Sequence, residues 1–283
     1  MSKKYIVLFN PLSYLGNGVV VEKAISSICP DSELVFESIP SIKDFSSFFK
    51  KIKKTPIIIS GGDGTLNYFV NHVKDINFSN KVFYYPTGLE NNFYKDIDDD
   101  SKPLEITDLI KKLPIATIDS KDLLFVNGVS LGFVGKGYEL GILEKEKKDK
   151  EVDFQKFVKK QLKHHYKPRK VKINVDSSNY EFDKVWLVNV MKGKYLSKLF
   201  VAPKQDREVS KNVSLIVIHG KSRRRALKLY QSMLNNKFIE DDMVTLISGN
   251  DISVEFDKSC TCLIDGEVIS DIDKYSVKNN DEK

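Results

Sequence analysis

One stretch constrains this chain more than any other: Pro56-Ile-Ile-Ile-Ser60-Gly61-Gly62-Asp63-Gly64-Thr65-Leu66-Asn67-Tyr68-Phe69-Val70. Ile57, Ile58 and Ile59 are a short run of β-branched residues and read as a buried strand. Gly61, Gly62 and Gly64 then let the backbone turn tightly and approach another group closely. From Thr65 onward, Leu66, Phe69, Val70 and Val73 recur at helical spacing, so a helix starts at the turn. Strand, glycine turn and helix N-terminus together predict a phosphate cradle, because backbone N–H groups and the helix dipole both favour an anion.

Asp63 is unexpected in such a cradle, since a carboxylate repels phosphate. A magnesium ion between the two, bound directly or through water, removes the conflict. The plainer alternative is an ordinary turn in which Asp63 caps a helix. Three glycines around one acid exceed what capping needs.

The 283 residues suffice for one large domain or two ordinary ones, and 41% hydrophobic with 30% charged residues supports a sizeable core. No run of about 18 apolar residues occurs, so no membrane-spanning helix is expected. The N-terminal apolar segment is too short for a signal peptide and reads as a first strand. Cys29, Cys260 and Cys262 are few and odd in number, which argues for a reducing, cytoplasmic setting without a disulfide framework. Cys260 and Cys262 alternate on one strand face as packing residues. Four histidines without a Cys/His/acid cluster give no zinc signature.

The net charge of +6 is unevenly spread. Lys156, Lys159, Lys160, Lys163, Lys167, Arg169, Lys170 and Lys172 crowd one segment, and Arg223-Arg224-Arg225 form a second. Such runs are either a solvated face or a contact with anionic lipid headgroups. No aromatic-rich RNA-binding pattern accompanies them, so nucleic acid is not an expected partner.

Tyr5–Phe9 is predicted as the first strand, ended by Asn10-Pro11. A helix over 19–28, a strand near 34–36, an amphipathic helix built on Phe45, Phe48, Phe49 and Ile52, and a strand at 82–85 complete an alternating β/α pattern. That alternation predicts a parallel sheet covered on both sides, with ligands at the carboxyl ends of its strands. Three such ends carry turn-forming or polar residues: Asn10-Pro11, Gly61–Thr65 and Pro86-Thr87-Gly88. The pattern changes near Pro114. Strand-like runs follow at 115–118, 123–127, 171–175, 185–190, 213–218, 252–256 and 261–264, with helices only near 153–165 and 223–234. Lys145–Lys150 reads as a charged surface connection.

Taken together, Asn10-Pro11, Gly61-Gly62-Asp63-Gly64-Thr65-Leu66-Asn67, Pro86-Thr87-Gly88…Asn91-Asn92-Phe93 and Asp265-Gly266-Glu267 resemble the diacylglycerol kinase catalytic family, which includes bacterial soluble lipid kinases and the sphingosine kinases. The central motif is shared with NAD kinases, whereas the other segments favour the lipid kinases. The resemblance implies an α/β fold: an N-terminal three-layer α/β nucleotide-binding domain over 1–114 and a mostly antiparallel β-sandwich domain over 115–270. The tail, 271–283, would return to the first domain.

The implied activity is transfer of the γ-phosphoryl group of ATP, with Mg2+, to a lipid hydroxyl such as that of diacylglycerol. Gly61, Gly62, Gly64 and Thr65 would receive the phosphates. Asn10, Gly88 and Asn91 would contact the nucleotide or order its loops. Asp63 would organise magnesium through water and Glu267 would take the acceptor's proton, or the two would exchange these roles. Asp119 is a further metal candidate. The partners implied are a lipid substrate and an anionic membrane touched peripherally, and a homodimer stays open. An NAD kinase-type enzyme and a non-catalytic nucleotide- or lipid-binding protein are the alternatives. The sequence departs from the family pattern at Leu89, Asn92 and Lys211-Asn212. The last pair replaces an Asp-Gly that would hold a structural metal.

Overall fold

In a computed structural model, which describes residues 3–11, 18–88, 90–97, 102–148 and 152–280, the chain divides into two compact units, Met1–Lys112 and Leu113–Lys283. The first holds strands β1 (Lys4–Phe9), β2 (Glu33–Ser38), β3 (Ile57–Gly61), β4 (Val82–Pro86) and β5 (Leu104–Glu105). Its helices are α1 (Gly18–Ile28), α2 (Phe45–Ile52), α3 (Asp63–Val73) and α4 (Asn92–Ile97). The sheet runs β2-β1-β3-β4-β5, parallel except for the antiparallel edge strand β5.

Val7 and Ile58 pack with Val21 and Ile25 of α1 on one face. Leu8, Ile57 and Ile59 are equally buried and by strand alternation face the other side. Burial on both faces is why these strands read as continuous apolar runs. The rings of Phe45 and Phe69, 6.1 Å apart and edge to face, tie α2 to α3.

The second unit is a ten-stranded antiparallel sheet. Its strands are β6 (Ile115–Ile118), β7 (Lys121–Leu124), β8 (Gly128–Gly132), β9 (Arg169–Val175), β10 (Ser178–Val185) and β11 (Leu187–Met191), then β14 (Val213–Ile218), β15 (Val244–Gly249), β16 (Asp251–Ile264) and β17 (Glu267–Lys278). A small ribbon of β12 (Tyr195–Leu196) and β13 (Leu199–Phe200) stands apart from it. Its helices are α5 (Phe133–Lys148), α6 (Phe154–Lys160) and α7 (Arg223–Leu234). Alternate residues serve two cores. Val213, Leu215 and Val217 join one formed by strands, while Ile216 and Ile218 join one shared with the helices. Cys260 and Cys262 lie together in the first core as free thiols.

Three sequence expectations are revised. Lys145–Lys148 is the last turn of α5 and not a connection; residues 149–150 lie outside the described residues. Helix α5 was not foreseen because Gly135, Gly137 and Gly141 depress helix propensity. Added Cβ atoms there would stand 2.1 Å from the Thr261 carbonyl oxygen, 2.5 Å from Val158 Cα and 2.5 Å from the Phe154 ring, so close packing of α5 requires all three. Residues 271–278, set apart as a tail, form most of β17, because Ile272, Tyr275 and Val277 belong to the strand core of the second unit. Among the described residues, no helix is long and apolar enough to cross a membrane.

Candidate active site

The carboxyl ends of β1, β3 and β4 converge: Phe9 pairs with Ser60, and Gly61 with Pro86. Half-buried Asn10 follows Phe9 and so lies beside the start of the glycine turn. That turn is zipped to the loop after β4. Thr87 N–H donates to the Gly61 carbonyl at 3.0 Å, and Asp63 N–H to the Glu90 carbonyl at 2.9 Å. The Ser60 and Thr87 hydroxyls are 3.1 Å apart. The fully buried Tyr84 donates its hydroxyl to the Gly61 carbonyl at 3.1 Å.

The glycines here serve proximity. None of Gly61, Gly62, Gly64 and Gly88 has a positive φ. A Cβ on Gly88 would stand 2.3 Å from Gly62 Cα, and one on Gly61 would meet the Thr65 side chain at 2.4 Å. Thr65 is buried and directed at Gly61. Gly64 is the exception: it is exposed, with nothing within 4 Å of where a Cβ would project. Asn91 closes the second loop by exchanging hydrogen bonds with Gly88, Nδ2 to the Gly88 carbonyl at 2.8 Å and Gly88 N–H to Oδ1 at 3.3 Å. Leu89 lies outside the described residues.

Asp63 is 3% exposed and opens α3, but its carboxylate caps a different helix. It accepts Asn92 N–H at 2.8 Å, Asn92 Nδ2 at 2.9 Å and Phe93 N–H at 3.1 Å, all at the N-terminus of α4. The asparagine at 92 therefore supplies a donor where an aspartate would set a second carboxylate against Asp63. With three donors on two buried oxygens, Asp63 does not fit as a direct magnesium ligand. No group of three or more His, Cys, Asp or Glu placed to hold a metal occurs among the described residues.

In the second unit, Glu267 opens β17 just after a two-residue turn, Asp265-Gly266, with φ of 46° and 97°. Glu267 is exposed, whereas Asp265 is 5% exposed and accepts the N–H groups of Val126, Asn127 and Gly128, the last two at 2.8 and 3.1 Å. Asp119 stands at the tip of the β6–β7 hairpin, exposed and left-handed with φ of 49°, and belongs to no metal-holding group among the described residues. Residues 203–212, where Lys211-Asn212 stands in place of the family's Asp-Gly, are pinned by side chains. Gln205 Nε2 donates to the Asn212 carbonyl at 2.9 Å, and the buried Lys192 ammonium donates to the Ser210 carbonyl at 3.2 Å.

The two basic segments also separate. Arg223 donates to the Leu162 carbonyl at 2.5 Å and the Tyr166 carbonyl at 2.9 Å, with its guanidinium 5.0 Å from the Trp186 ring centroid. Arg225 pairs with Asp241 and Asp242. Arg223 is thus engaged with the segment after α6 and Arg225 with the loop before β15, while Arg224 is exposed. Lys159, Lys160, Lys163 and Lys167 remain exposed.

Sequence reasoning missed Tyr84, Arg207 and the anchoring roles of Asp63 and Asp265. Each partner lies tens of residues away, so no local pattern marks them.

Residues 4–122 match the diacylglycerol kinase catalytic domain, and residues 144–277 match the YegS C-terminal NAD kinase beta sandwich-like domain. Residues 4–122 belong to the diacylglycerol kinase catalytic domain family. Its fold is similar to that of a solved diacylglycerol kinase from Bacillus anthracis str. Sterne, with 16% identity, a TM-score of 0.63 and coverage of 99% of this chain and 95% of that one. A second candidate diacylglycerol kinase from that organism gives 19% identity, a TM-score of 0.67 and coverage of 98% and 92%. At such identities the likeness establishes the family's two-part fold. No curated protein sequence matches the chain.

Proposed function

We propose that this protein is an ATP-dependent lipid kinase that transfers the γ-phosphoryl group to a lipid hydroxyl such as that of diacylglycerol. The observation that carries the reading is the match of residues 4–122 to a diacylglycerol kinase catalytic domain, with its glycine turn held open at Gly64. Phosphoryl transfer needs positioning and charge neutralisation more than covalent chemistry. The main chain at Gly62 and Gly64 suits the phosphates: Tyr84 and Thr87 fix the preceding Gly61, and the Asp63 and Thr65 N–H groups are already given to the Glu90 and Gly62 carbonyls. Exposed Glu267 suits the proton of the acceptor hydroxyl. Magnesium neutralises phosphate charge and would ride on the nucleotide, because Asp63 offers it no direct ligand.

Peripheral contact with an anionic bilayer belongs to the same reading. Leu143, 54% exposed, and Leu140 and Phe157 line a groove on α5 and α6 together with Lys147, Lys160, His165 and Glu144, the last paired with Lys148. Binding to phosphatidylglycerol vesicles should weaken as salt rises, and binding indifferent to salt would remove this part.

The reading is tested by ATP consumption with magnesium on mixed micelles of diacylglycerol, sphingoid base or ceramide, against NAD in solution. Glu267→Gln is the better control, since Asp63→Ala would strip a helix of its anchor. Turnover on one lipid that Glu267→Gln abolishes supports the kinase and identifies its acceptor. Turnover on NAD alone overturns the lipid reading. ATP binding without turnover on any acceptor favours a sensor.

A further inference from the structure

The Val126–Gly128 segment is held from two sides. Asp265 takes its three N–H groups. Arg207, only 6% exposed, reaches the same segment from the loop before β14, donating Nη1 to the Val126 carbonyl and Nη2 to Asn127 Oδ1 at 2.9 Å. The Asn127 carbonyl in turn accepts Lys192 N–H at 2.8 Å and Gly193 N–H at 3.2 Å. Because Asp265 is the first residue of the turn that ends in Glu267, whatever fixes 126–128 also fixes the start of β17.

The cluster is expensive for a scaffold. It buries a guanidinium and a carboxylate, and leaves Asn127 Nδ2 buried with no hydrogen-bond partner. A buried polar atom without a partner calls for an explanation. An apolar residue at 207 would fill this space without burying a charge.

We propose that Arg207 is a positioning residue for Glu267, acting through the Val126–Gly128 segment and Asp265. The inference rests on the lipid-kinase reading for the role of Glu267. It goes beyond that reading by assigning turnover control to a buried arginine in a different loop. A guanidinium is required because its planar fork meets a carbonyl and an amide oxygen at once, which a lysine ammonium cannot match in geometry.

The test compares wild type, Arg207→Lys, Arg207→Met, Glu267→Gln and the double variant Arg207→Met/Glu267→Gln. Two readouts are taken: lipid phosphorylation kinetics, and amide hydrogen exchange at residues 125–128 and 264–268. Arg207→Met should lower kcat about 10- to 100-fold with KM for ATP within about twofold, and Arg207→Lys should recover only part of the loss. In the Glu267→Gln background the same substitution should cost nothing further, because the residue it positions is already silenced. Exchange should quicken in those two segments and stay unchanged in β1 to β4. An equal loss of kcat in both backgrounds, or unchanged exchange, overturns the proposal. If Arg207→Met does not fold, Arg207→Lys carries both arms. Wild-type protein that phosphorylates no lipid sinks the kinase reading alone, and exchange then decides whether Arg207 fixes the hairpin.

Discussion

The glycine turn at 61–64 and the hairpin turn at 265–266 solve one problem in the same way and end with opposite surfaces. Each contains a buried aspartate whose carboxylate gathers three N–H donors from a neighbouring segment, Asn92 and Phe93 for Asp63, Val126 to Gly128 for Asp265. In each, the motif's most recognisable acid is consumed as an anchor. What the first turn leaves exposed is a glycine at a helix N-terminus; what the second leaves exposed is a carboxylate, Glu267. The difference teaches that the exposed neighbour, and not the aspartate, is the group to watch for chemistry. One surface suits an anion and the other suits a proton.

The parallel is broken most easily at the anchors. Asp63→Ala leaves three buried donors without an acceptor, and each such group costs about 1–3 kcal/mol. Urea unfolding should show the first unit losing roughly 3 kcal/mol or more, with Asp265→Ala doing comparable damage to the second. A loss below about 1 kcal/mol at either site would end the comparison. Glu267→Gln should act oppositely: kcat down about a hundredfold or more, as for loss of a general base, with unchanged unfolding. Unchanged kcat would remove Glu267 from the chemistry.

Gly64 and Gly88 sharpen the first half. A methyl on Gly88 meets the Gly62 backbone at 2.3 Å, so Gly88→Ala should destabilise the first unit and weaken ATP binding together. A methyl on Gly64 meets nothing within 4 Å and Ala is the better helix former, so Gly64→Ala should not lower the melting temperature. If phosphate approaches this backbone closely, as glycine-rich phosphate loops allow, KM for ATP should still rise about tenfold. An unaltered KM would leave Gly64 as a glycine without a nucleotide.

Much of the fold was legible because periodicity records burial. The Ile57–Ile59 run, the Phe45–Ile52 stripe and the 213–218 run each lie where their spacing places them. Legibility failed where distant contacts decide. Asp63 looked either like a metal organiser or like a cap for its own helix, and its partners are 29 and 30 residues away. The three glycines of α5 resemble helix breakers until Thr261, Val158 and Phe154 are seen against them. The partners of Arg223 and Arg225 could not be read because the carbonyls and aspartates they hold come from other segments. Ile252–Phe256 and Thr261–Ile264 read as two strands because Asp257-Lys258-Ser259 interrupts the apolar pattern. The 14-residue β16 absorbs that interruption as register shifts between Glu255 and Cys262.

The smallest expected effect tests whether the second turn depends on its surroundings. Glu139 of α5 accepts the Thr261 hydroxyl at 2.6 Å and the Lys136 ammonium at 2.8 Å, tying α5 to β16 four residues before Asp265. Burial alone would raise its carboxyl, but hydrogen bonds from Lys136, Thr261 and Ser270, with the Lys136 charge, outweigh that and hold it below the ordinary glutamate value. A carboxyl lowered in the folded state stabilises fully above the unfolded glutamate pKa, about 4.3, and loses that contribution as pH falls through the lowered value. Glu139→Gln should therefore cost about 1 kcal/mol or less at neutral pH, with the two stability curves converging as pH drops below about 4. A constant offset down to the acid end would mean that Glu139 acts by packing alone. A change in kcat from this variant would mean that the Asp265–Glu267 turn is positioned by α5 as well as by its own anchors.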